Sequence, residues 1–381
     1  MKELKGIAWN HSRGFVSVVA TAQRYEELHP EVRITWEKRS LQAFADAPLE
    51  KLAAAYDLIV MDHPHVALAA REKVLLPLDE YIDAPFLADQ AVHSVGQSNA
   101  SYCADGHQWT LATDAAAPIA TWRLDLVAKH LLTLPETWND VIALAKGGYV
   151  SVALLPLDAL MHSYTFCQAL GGSIFESEYQ LAEPEIVSQA LEHLKELASH
   201  CAPESLGRNP IQTAEYMTQS EAPNAAYCPF AYGYSNYSKH SYSAHPLKAG
   251  VPVRLGEATL RTVLGGAGLA VSALTAEKAI CADYARFTAS PETQKGLYYE
   301  AGGQPGHRAA WTDPTVNATS GNFFQDTLKT LDNSLVRPRH PGYMYFQDRA
   351  TPVMGDYLAG HKSLKVAVET INDLYRKSHS N

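Results

Sequence analysis

The fold of this chain is best predicted from residues 57–70, which read DLIVMDHPHVALAA. Four residues typical of a buried strand lead into a polar turn at 62–65, and a helix-forming stretch follows it. The preceding segments alternate in the same way, as a strand (6–10), a helix (12–28), a strand (32–38) and a helix (41–56). This β-α-β-α-β order predicts a parallel sheet with helices on its faces.

Polar loops follow each of the three predicted strands. They are WNHSRG (9–14), EKRSLQ (37–42) and DHPH (62–65). Because the carboxyl ends of parallel strands meet at one edge of a sheet, these loops should converge there, where sheets of this kind bind ligands. The topology alone therefore predicts a ligand site at this edge.

The remainder of the chain also mixes strands and helices. Extended segments are predicted at 107–127 (on both sides of Asp114), 150–155, 224–238 and 260–272, and helices at 135–146, 158–170, 184–200, 276–290 and in the last part of the chain. Gly265, Gly266 and Gly268 interrupt one of these strands and lack the phosphate-loop pattern. A close approach of two backbones explains them better than a phosphate site.

Length and composition limit the function classes. A chain of 381 residues predicts two domains, and a net charge of −10 with dispersed basic residues argues against nucleic-acid or anionic-membrane partners. Five widely spaced cysteines contain no CxxC pair, and their odd number slightly favours a cytoplasmic protein. The opening MKELKGIAWN carries no secretory signal, so the protein is expected to be cytoplasmic or to have its export signal outside this sequence.

Six stretches, in order across nearly the whole chain, resemble the extracellular solute-binding proteins of ABC importers, the group typified by sugar- and maltose-binding proteins. They are HPEVRITWE (29–37), YDLIVMD (56–62), LPLDEYI (76–82), WTLATDAAAPIATWRLDLV (109–127), LPETWNDVIALAK (134–146) and LGGAGLAVSALTAEKAICADYARFTASPETQKGLYYEAGGQP (264–305). The segment at 134–146 is the most specific of them.

This resemblance implies an α/β, two-lobed periplasmic-binding-protein fold, with a ligand cleft between lobes joined by crossing strands. The lobes are expected at 1–112 plus 265–309 and at 113–264 plus 310–381, with hinge closure on the ligand. The family is exported, which implies a periplasmic protein despite the cysteines. The expected partners are a small solute and the membrane subunits of an importer, and the chain is expected to be a monomer without a cofactor.

The first-lobe loops supply the first candidate ligand-binding residues. Trp9 offers a ring face for a sugar, and Asn10 and His11 can donate and accept hydrogen bonds. Arg13 either binds an anionic partner or pairs with a neighbouring acid, and the sequence favours neither. Arg39 and Ser40 lie at a helix start that would suit a carboxylate, sulfonate or phosphate.

The Asp62-His63-Pro64-His65 turn allows three interpretations. Asp62 can accept hydrogen bonds from ligand hydroxyls, or it can simply cap the following helix. A metal site would use Asp62, His63 and His65 with His11. We expect Pro64 to keep the turn extended and the two histidines on opposite sides. A pocket rim without a metal is therefore the preferred interpretation.

The second lobe is expected to add residues from four segments. Asp114 should lie at the floor of the cleft, and Pro156 and Asp158 open a helix after a predicted strand. The aromatic stretch 230–237 and the GYMYF segment (342–346) offer tyrosines that can stack and hydrogen-bond, although core packing also explains them. The ligand-binding candidates taken from these two stretches are Tyr232, Tyr234 and Tyr343.

The resemblance implies a binding protein for a small polar solute, with a saccharide or polyol as the ligand typical of the family. Arg13 and Arg39 suggest an acidic solute instead, such as a sugar-acid-like carboxylate. An enzyme on the same fold is less favoured, because the GxSxG, HExxH and Walker patterns are absent from the sequence and no catalytic residue is assigned. A protein that binds a metal or metal complex through the histidines of the 62–65 turn and His11 remains the alternative.

Overall fold

The computed structural model describes residues 1–46, 48–219 and 224–380, and the described chain divides into two compact units. Unit 1 comprises Met1–Ala116, Leu264–Thr319 and Arg339–Pro341, and unit 2 comprises Ala117–Val263, Ser320–Pro338 and Gly342–Asn381. A unit is defined by its contacts, whereas a lobe is defined by how it moves. The lobe boundaries expected from the resemblance therefore stay a prediction.

The strands of the described residues are short, and most lie in the first 120 residues or near residues 227–271. They are β1 (Lys2–Trp9), β2 (Val32–Arg39), β3 (Leu58–Met61), β4 (Cys103–Ala104), β5 (His107–Gln108), β6 (Thr110–Ala116), β7 (Pro118–Trp122), β8 (Tyr227–Tyr232), β9 (Lys248–Gly250), β10 (Arg254–Leu255), β11 (Ala258–Thr259) and β12 (Gly265–Val271).

Helices account for most of the remaining regular structure. They are α1 (Ser17–Leu28), α2 (Leu41–Asp46), α3 (Leu49–Ala55), α4 (Val66–Glu72), α5 (Ala84–Val92), α6 (Leu124–Lys129), α7 (Trp138–Lys146), α8 (Pro156–Ala169), α9 (Pro184–His200), α10 (Pro210–Thr218), α11 (Lys278–Ala289), α12 (Pro291–Thr293), α13 (Arg308–Trp311), α14 (Pro314–Thr319), α15 (Phe323–Asp332), α16 (Tyr343–Ala359) and α17 (Leu364–Ser378). Among them, none combines the length and apolar character needed to cross a membrane.

Unit 1 is built on a five-stranded sheet of order β2-β1-β3-β12-β6. β1 pairs in parallel with β2 and with β3, which confirms the parallel sheet predicted from the first 73 residues. β12 is antiparallel to both β3 and β6, so β6 runs in the same direction as β3. All four residues of β3 are buried, as expected for a central strand with both faces covered.

A hydrophobic core covers one face of this sheet. Val18, Ala22 and Tyr25 recur at helical spacing and form the buried face of α1. Tyr284 of α11 packs in the same core, and its hydroxyl donates a hydrogen bond to the carbonyl of Val18 at 3.0 Å. The packed helices thereby hold the sheet and its strand ends in place.

Unit 2 has a smaller sheet, of order β8-β7-β9, and a core made largely by helices. The predicted helix start in the 134–146 segment is confirmed, because Thr137 and Asp140 form a reciprocal capping box at the start of α7. The Trp138 ring that follows stacks on Phe230 of β8 with 5.9 Å between ring centroids. The most specific sequence motif, at 134–146, therefore consists of a helix cap followed directly by a buried aromatic residue.

The strand predicted at 150–155 is wrong. Val150 makes a single bridge to Tyr227, and the N–H of Ser151 donates to the carbonyl of Tyr227 at 2.9 Å. The N–H of Leu154 instead donates to the carbonyl of Ser205 at 3.1 Å. The segment is buried and apolar, but its backbone bonds go to separate partners and no ladder forms.

The backbone conformation of Gly266 accounts for a glycine at the start of β12. Its φ of +107° is a conformation that other residues rarely adopt, and a Cβ there would lie 2.4 Å from the carbonyl oxygen of Asp114. Two backbones therefore approach closely at this point of the unit 1 sheet, as expected from the sequence.

Candidate functional site

The polar loops of unit 1 meet at one edge of its sheet. β1, β2, β3 and β6 run in the same direction, so their carboxyl ends lie on the same side. Asp114, near the end of β6, is close enough to Asp62, after β3, for their charges to interact. The convergence predicted from topology is therefore present, with β6 as a fourth contributor.

Arg13 and Asp114 form a buried ion pair at this edge. The guanidinium donates from Nε to one carboxylate oxygen at 2.7 Å and from a terminal nitrogen to the other at 2.5 Å. Arg13 is 4% exposed and Asp114 is 1% exposed. Burial raises the pKa of the Asp114 carboxyl, whereas Arg13 and the N–H of Ala267 act in the opposite direction and stabilise the carboxylate. Of the two interpretations of Arg13, the structure shows pairing with an acid.

Trp9 packs inside unit 1. Its ring lies 5.2 Å from that of Phe44, and a Cβ on Gly14 would lie 2.3 Å from its ring atoms. The residue is 3% exposed and belongs to the hydrophobic core. Its predicted use as a stacking surface for a sugar stays a prediction, and the observed contacts are those of a core aromatic residue.

His11 caps the short helical turn that carries Arg13. Its Nδ1 accepts a hydrogen bond from the N–H of Arg13 at 3.1 Å, so the neutral ring carries its proton on Nε2. Burial, and then the charge of Arg13, lower the pKa of His11 to about 3. The neighbouring Asn10 is exposed, and its N–H donates to the carbonyl of Arg39. His11 therefore stays neutral over the physiological pH range.

Arg39 serves the backbone of unit 1. Its guanidinium donates to the carbonyls of Ala43 and Val60, at 3.1 and 3.0 Å. Ser40 accepts a hydrogen bond from the N–H of Ala43 at 3.1 Å and so caps α2. Burial lowers the pKa of Arg39 to about 10, which leaves it charged at neutral pH. The positive charge is present, but it is used to hold two chain segments.

The expectation of an extended turn at 62–65 is wrong. His63–His65 form a turn of 3-10 helix, and Asp62 caps it by accepting a hydrogen bond from the N–H of His63 at 2.8 Å. The fixed φ of Pro64 suits the first turn of a helix, which accounts for the difference. The side chain of His63 lies 3.2 Å from Asp62, and His63 and His65 are both buried.

In unit 2, Pro156 and Asp158 occupy the first turn of α8, close to the predicted helix start at 158. Asp158 is only 6% exposed, and its burial raises the pKa of the carboxyl well above the usual range. A buried acid at a helix start is a candidate partner for a ligand hydroxyl, and this role stays a prediction.

Asp158→Asn should stabilise the protein measured without solute. The pKa of Asp158 in the folded protein lies above its value of about 3.9 in the unfolded chain. The folded state therefore binds this proton more tightly, and stability is lost as the pH rises from about 4 through the folded pKa. We expect the variant to raise the Tm by about 2–4 °C at pH 7.5 and by much less at pH 4.

Asp140→Asn is the matched control of opposite sign. Hydrogen bonds from Thr137 lower the pKa of this exposed carboxyl, so it stabilises α7 above the unfolded pKa, and that contribution is lost as the pH falls through the folded pKa. The control should lower the Tm at pH 7.5 and have less effect at low pH. A lower Tm for Asp158→Asn at pH 7.5 would contradict the assignment.

The aromatic stretch 230–237 mixes core and half-buried residues. Tyr232 ends β8, pairs with Pro118 and is half-buried. Tyr234 and Tyr237 pack in a small core of unit 2, with their ring centroids 6.4 Å apart. The core alternative therefore describes Phe230, Tyr234 and Tyr237, and Tyr232 is the most exposed of the four rings.

Tyr343, the candidate taken from the GYMYF segment, belongs to one of the helices at the end of the chain. It begins α16, is fully buried in the unit 2 core and lies with its hydroxyl 3.4 Å from that of Tyr164. The apolar spacing of Tyr343, Phe346 and Ala350 is that of the buried face of a helix. Its contribution to a ligand site stays a prediction.

Unit 2 contains a cavity that the sequence did not indicate. Its volume is about 660 Å³, and it is lined by residues that include Pro135, Gln168, Arg254, Arg261 and Lys329. The sequence-predicted site residues do not contribute to it.

Unit 1 also contains a group of metal-ligating side chains that was not predicted from the sequence. Asp89, His93 and His307 bring one carboxylate and two imidazoles within 4.8 Å of one another. The available signal was the i, i+4 spacing of Asp89 and His93, which lies outside the strand-end loops.

Comparison with known proteins identifies the fold. Residues 8–180 match the family described as bacterial extracellular solute-binding protein. The structure of maltose-bound MalE3 from T. maritima is 14% identical, with a TM-score of 0.84 over 99% of this chain and 100% of that one. A ribitol-bound ABC transporter solute-binding protein from Agrobacterium radiobacter is 19% identical, with a TM-score of 0.83 over 99% and 98%.

A third similar structure is the GacH receptor of Streptomyces glaucescens, solved without ligand and with acarbose. It is 17% identical, with a TM-score of 0.81 over 100% of this chain and 99% of that one. The predicted fold class is therefore confirmed: the chain has the mixed α/β fold of two-lobed periplasmic binding proteins. The family resemblance stated from the sequence is also confirmed.

Proposed function

We propose that this chain, which resembles the bacterial extracellular solute-binding proteins, captures a small hydroxylated solute outside the cytoplasm and delivers it to an ABC importer. The family match and the fold support this role. Similar structures hold maltose, ribitol or D-mannitol, all of them uncharged and rich in hydroxyl groups.

The contacts of unit 1 favour a neutral saccharide or polyol over an acidic solute. The acidic alternative rested on Arg13 and Arg39. Arg13 is held by the buried carboxylate of Asp114, and Arg39 donates to two backbone carbonyls. An anionic solute would have to compete with these charge-assisted bonds. The pairing of Arg13 with Asp114 is the observation that carries the choice of a neutral solute.

The remaining groups at this edge suit hydroxyl groups. Asp62 carries a carboxylate that accepts hydrogen bonds, and His11 is a neutral ring with its proton on Nε2. Together with the exposed Asn10 they offer both donors and acceptors without a strong net positive charge. We infer that they bind the solute without covalent chemistry.

A thermal-shift screen of purified protein tests this proposal. The protein is first unfolded and refolded to remove bound solute, and neutral sugars, polyols, sugar acids and divalent metals are then added. A solute at about 100 times its Kd stabilises by about 2.7 kcal/mol, which shifts the Tm by several degrees. We expect hits among the neutral sugars or polyols and recovery of each hit chemically unchanged. A converted product would contradict the proposal.

A further inference from the structure

We propose that Asp89, His93 and His307 form a binding site for a transition-metal ion in unit 1, with zinc as the ion it suits best. Nδ1 of His93 lies 2.7 Å from one carboxylate oxygen of Asp89, and Nε2 of His307 lies 3.1 Å from the other. The ring centroids of His93 and His307 are 5.3 Å apart. All three ligand atoms lie within 4.8 Å of one another.

The three side chains must adjust to hold a metal. Tetrahedral ligands at roughly 2.0–2.1 Å from zinc stand about 3.3 Å apart. The two observed contacts, at 2.7 and 3.1 Å, are shorter than this and reach different oxygens of Asp89. One oxygen must therefore turn to lie between the rings, and ligand atoms that stand as far as 4.8 Å apart must move closer together. Two imidazole nitrogens and one carboxylate oxygen are a donor set that zinc and neighbouring divalent ions prefer over magnesium or calcium.

Contacts that do not involve a metal already bring the three ligands together. Asp89 lies on α5 and His93 directly follows it, while the N–H of Arg308 donates to the carbonyl of His93 at 2.7 Å. Ser94 and His307 form a backbone bridge, and the Arg308 guanidinium donates to the carbonyl of Ser94 at 3.2 and 3.1 Å. The site is therefore largely preformed.

The surroundings favour a cation and leave room for it. The Glu292 carboxylate adds a second negative charge near His307. Asp89 also lines a cavity of about 480 Å³ with two further acids, Asp283 and Glu292, and with one cation, Arg286, which pairs with Asp83 at 3.4 Å. The side chains of His93 and Asp89 are 49% and 36% exposed, so an ion can enter from solvent and keep water in its open positions.

Existing hydrogen bonds oppose metal binding and limit its strength. Nδ1 of His93 lies 3.2 Å from the carbonyl oxygen of Asp89, which can only accept, so this nitrogen carries a proton that the metal must displace. Nδ1 of His307 accepts a hydrogen bond from the N–H of Ala309 at 3.1 Å, so the proton of this ring lies on Nε2. Coordination through Nε2 requires the proton to move to Nδ1 and the cap of α13 to be lost. Loss of such a cap reduces affinity by roughly five- to tenfold.

This site is separate from the metal site that the sequence suggested at the 62–65 turn. The strand-end residues Asp62, His63, His65 and His11 do not form a group of three ligand atoms this close, whereas Asp89, His93 and His307 do. Metal binding there is also independent of the proposed solute, so either proposal can fail without the other.

Zinc titration of the tag-free, EDTA-treated full chain tests the site. We expect one Zn²⁺ per chain, a Tm that rises with zinc concentration, and a tetrahedral visible spectrum when Co²⁺ is added instead. His93→Gln and Asp89→Asn should each weaken zinc binding at least tenfold. His107→Gln is the matched control, because His107 pairs with Asp79 at 2.9 Å and no third ligand joins them among the residues that the structure describes. This variant should bind zinc like the parent.

Two results would overturn the proposal. One is the absence of stoichiometric zinc binding by the parent protein at micromolar zinc. The other is zinc binding that survives His93→Gln but is lost in His63→Ala, which would move the ion to the strand-end loops. Solute binding is measured in the same samples with EDTA added. Unchanged solute binding in the absence of metal would show that the two functions are independent.

Discussion

Arg13→Met should destabilise the protein by about 3–5 kcal/mol, because it leaves the buried carboxylate of Asp114 without its partner. The pair is nearly inaccessible to water, so solvent cannot replace the lost hydrogen bonds. Urea unfolding of the solute-free variant measures the loss directly as a lower midpoint with an unchanged slope.

Two further variants establish that the loss comes from an uncompensated charge. The double variant Arg13→Met/Asp114→Leu removes both charges and should recover much of the stability lost in the single variant. Arg24→Met breaks the Arg24–Glu27 pair, whose side chains are about half exposed, and should cost no more than about 0.5 kcal/mol. A single-variant loss as small as that of Arg24→Met would show that the buried pair is not formed.

Asp62→Ala should weaken solute binding by about 10- to 100-fold. A hydrogen bond from a solute hydroxyl to a carboxylate contributes about 1.5–3 kcal/mol, and alanine removes it. The variant also loses the cap of the 63–65 turn, which lowers stability by about 1 kcal/mol. Titration calorimetry with the best solute from the screen measures the change in affinity.

A second capping residue separates the two effects of this substitution. Asp83 caps α5 in the same unit by accepting a hydrogen bond from the N–H of Phe86 at 3.0 Å. Asp83→Ala should lose similar stability but bind the solute with unchanged affinity. Asp62→Asn keeps a capping oxygen and should weaken binding with little change in Tm. Parent-like affinity in Asp62→Ala would remove Asp62 from the site.

The sequence was sufficient to predict the three parallel strands of the unit 1 sheet, but not the antiparallel β12 between β3 and β6. Local apolar periodicity predicted these strands and the helices between them, and parallel pairing then places the strand ends at one edge. The bounds were less accurate, because β1 begins at Lys2 rather than at residue 6 and the helix predicted at 41–56 is two helices, α2 and α3. The 150–155 segment shows what apolar periodicity cannot predict. Its apolar run predicts burial correctly, but whether a buried segment joins a ladder depends on which distant backbone lies beside it.

The charged contacts of the candidate site could not be predicted for the same reason. Arg13 and Asp114 are 101 positions apart, and His307 is 218 positions from Asp89. No local sequence pattern specifies such distant partners. From the sequence, Arg13 and Arg39 therefore suggested an acidic ligand, whereas in the structure their guanidinium groups bind Asp114 and backbone carbonyls. Trp9 and Tyr343 were named for their chemistry, whereas the packing around them decides what their rings contact.

Titration calorimetry of solute-free protein with a neutral sugar and its matched sugar acid, such as D-glucose and D-glucuronate or the equivalent pair for the best hit, tests the central claim most directly. If Arg13 and Arg39 are held by Asp114 and the backbone carbonyls, the neutral member should bind at least tenfold more tightly and be recovered unchanged. Tighter binding of the acid would mean that these arginines meet the solute, and that a neutral saccharide or polyol is not the natural ligand.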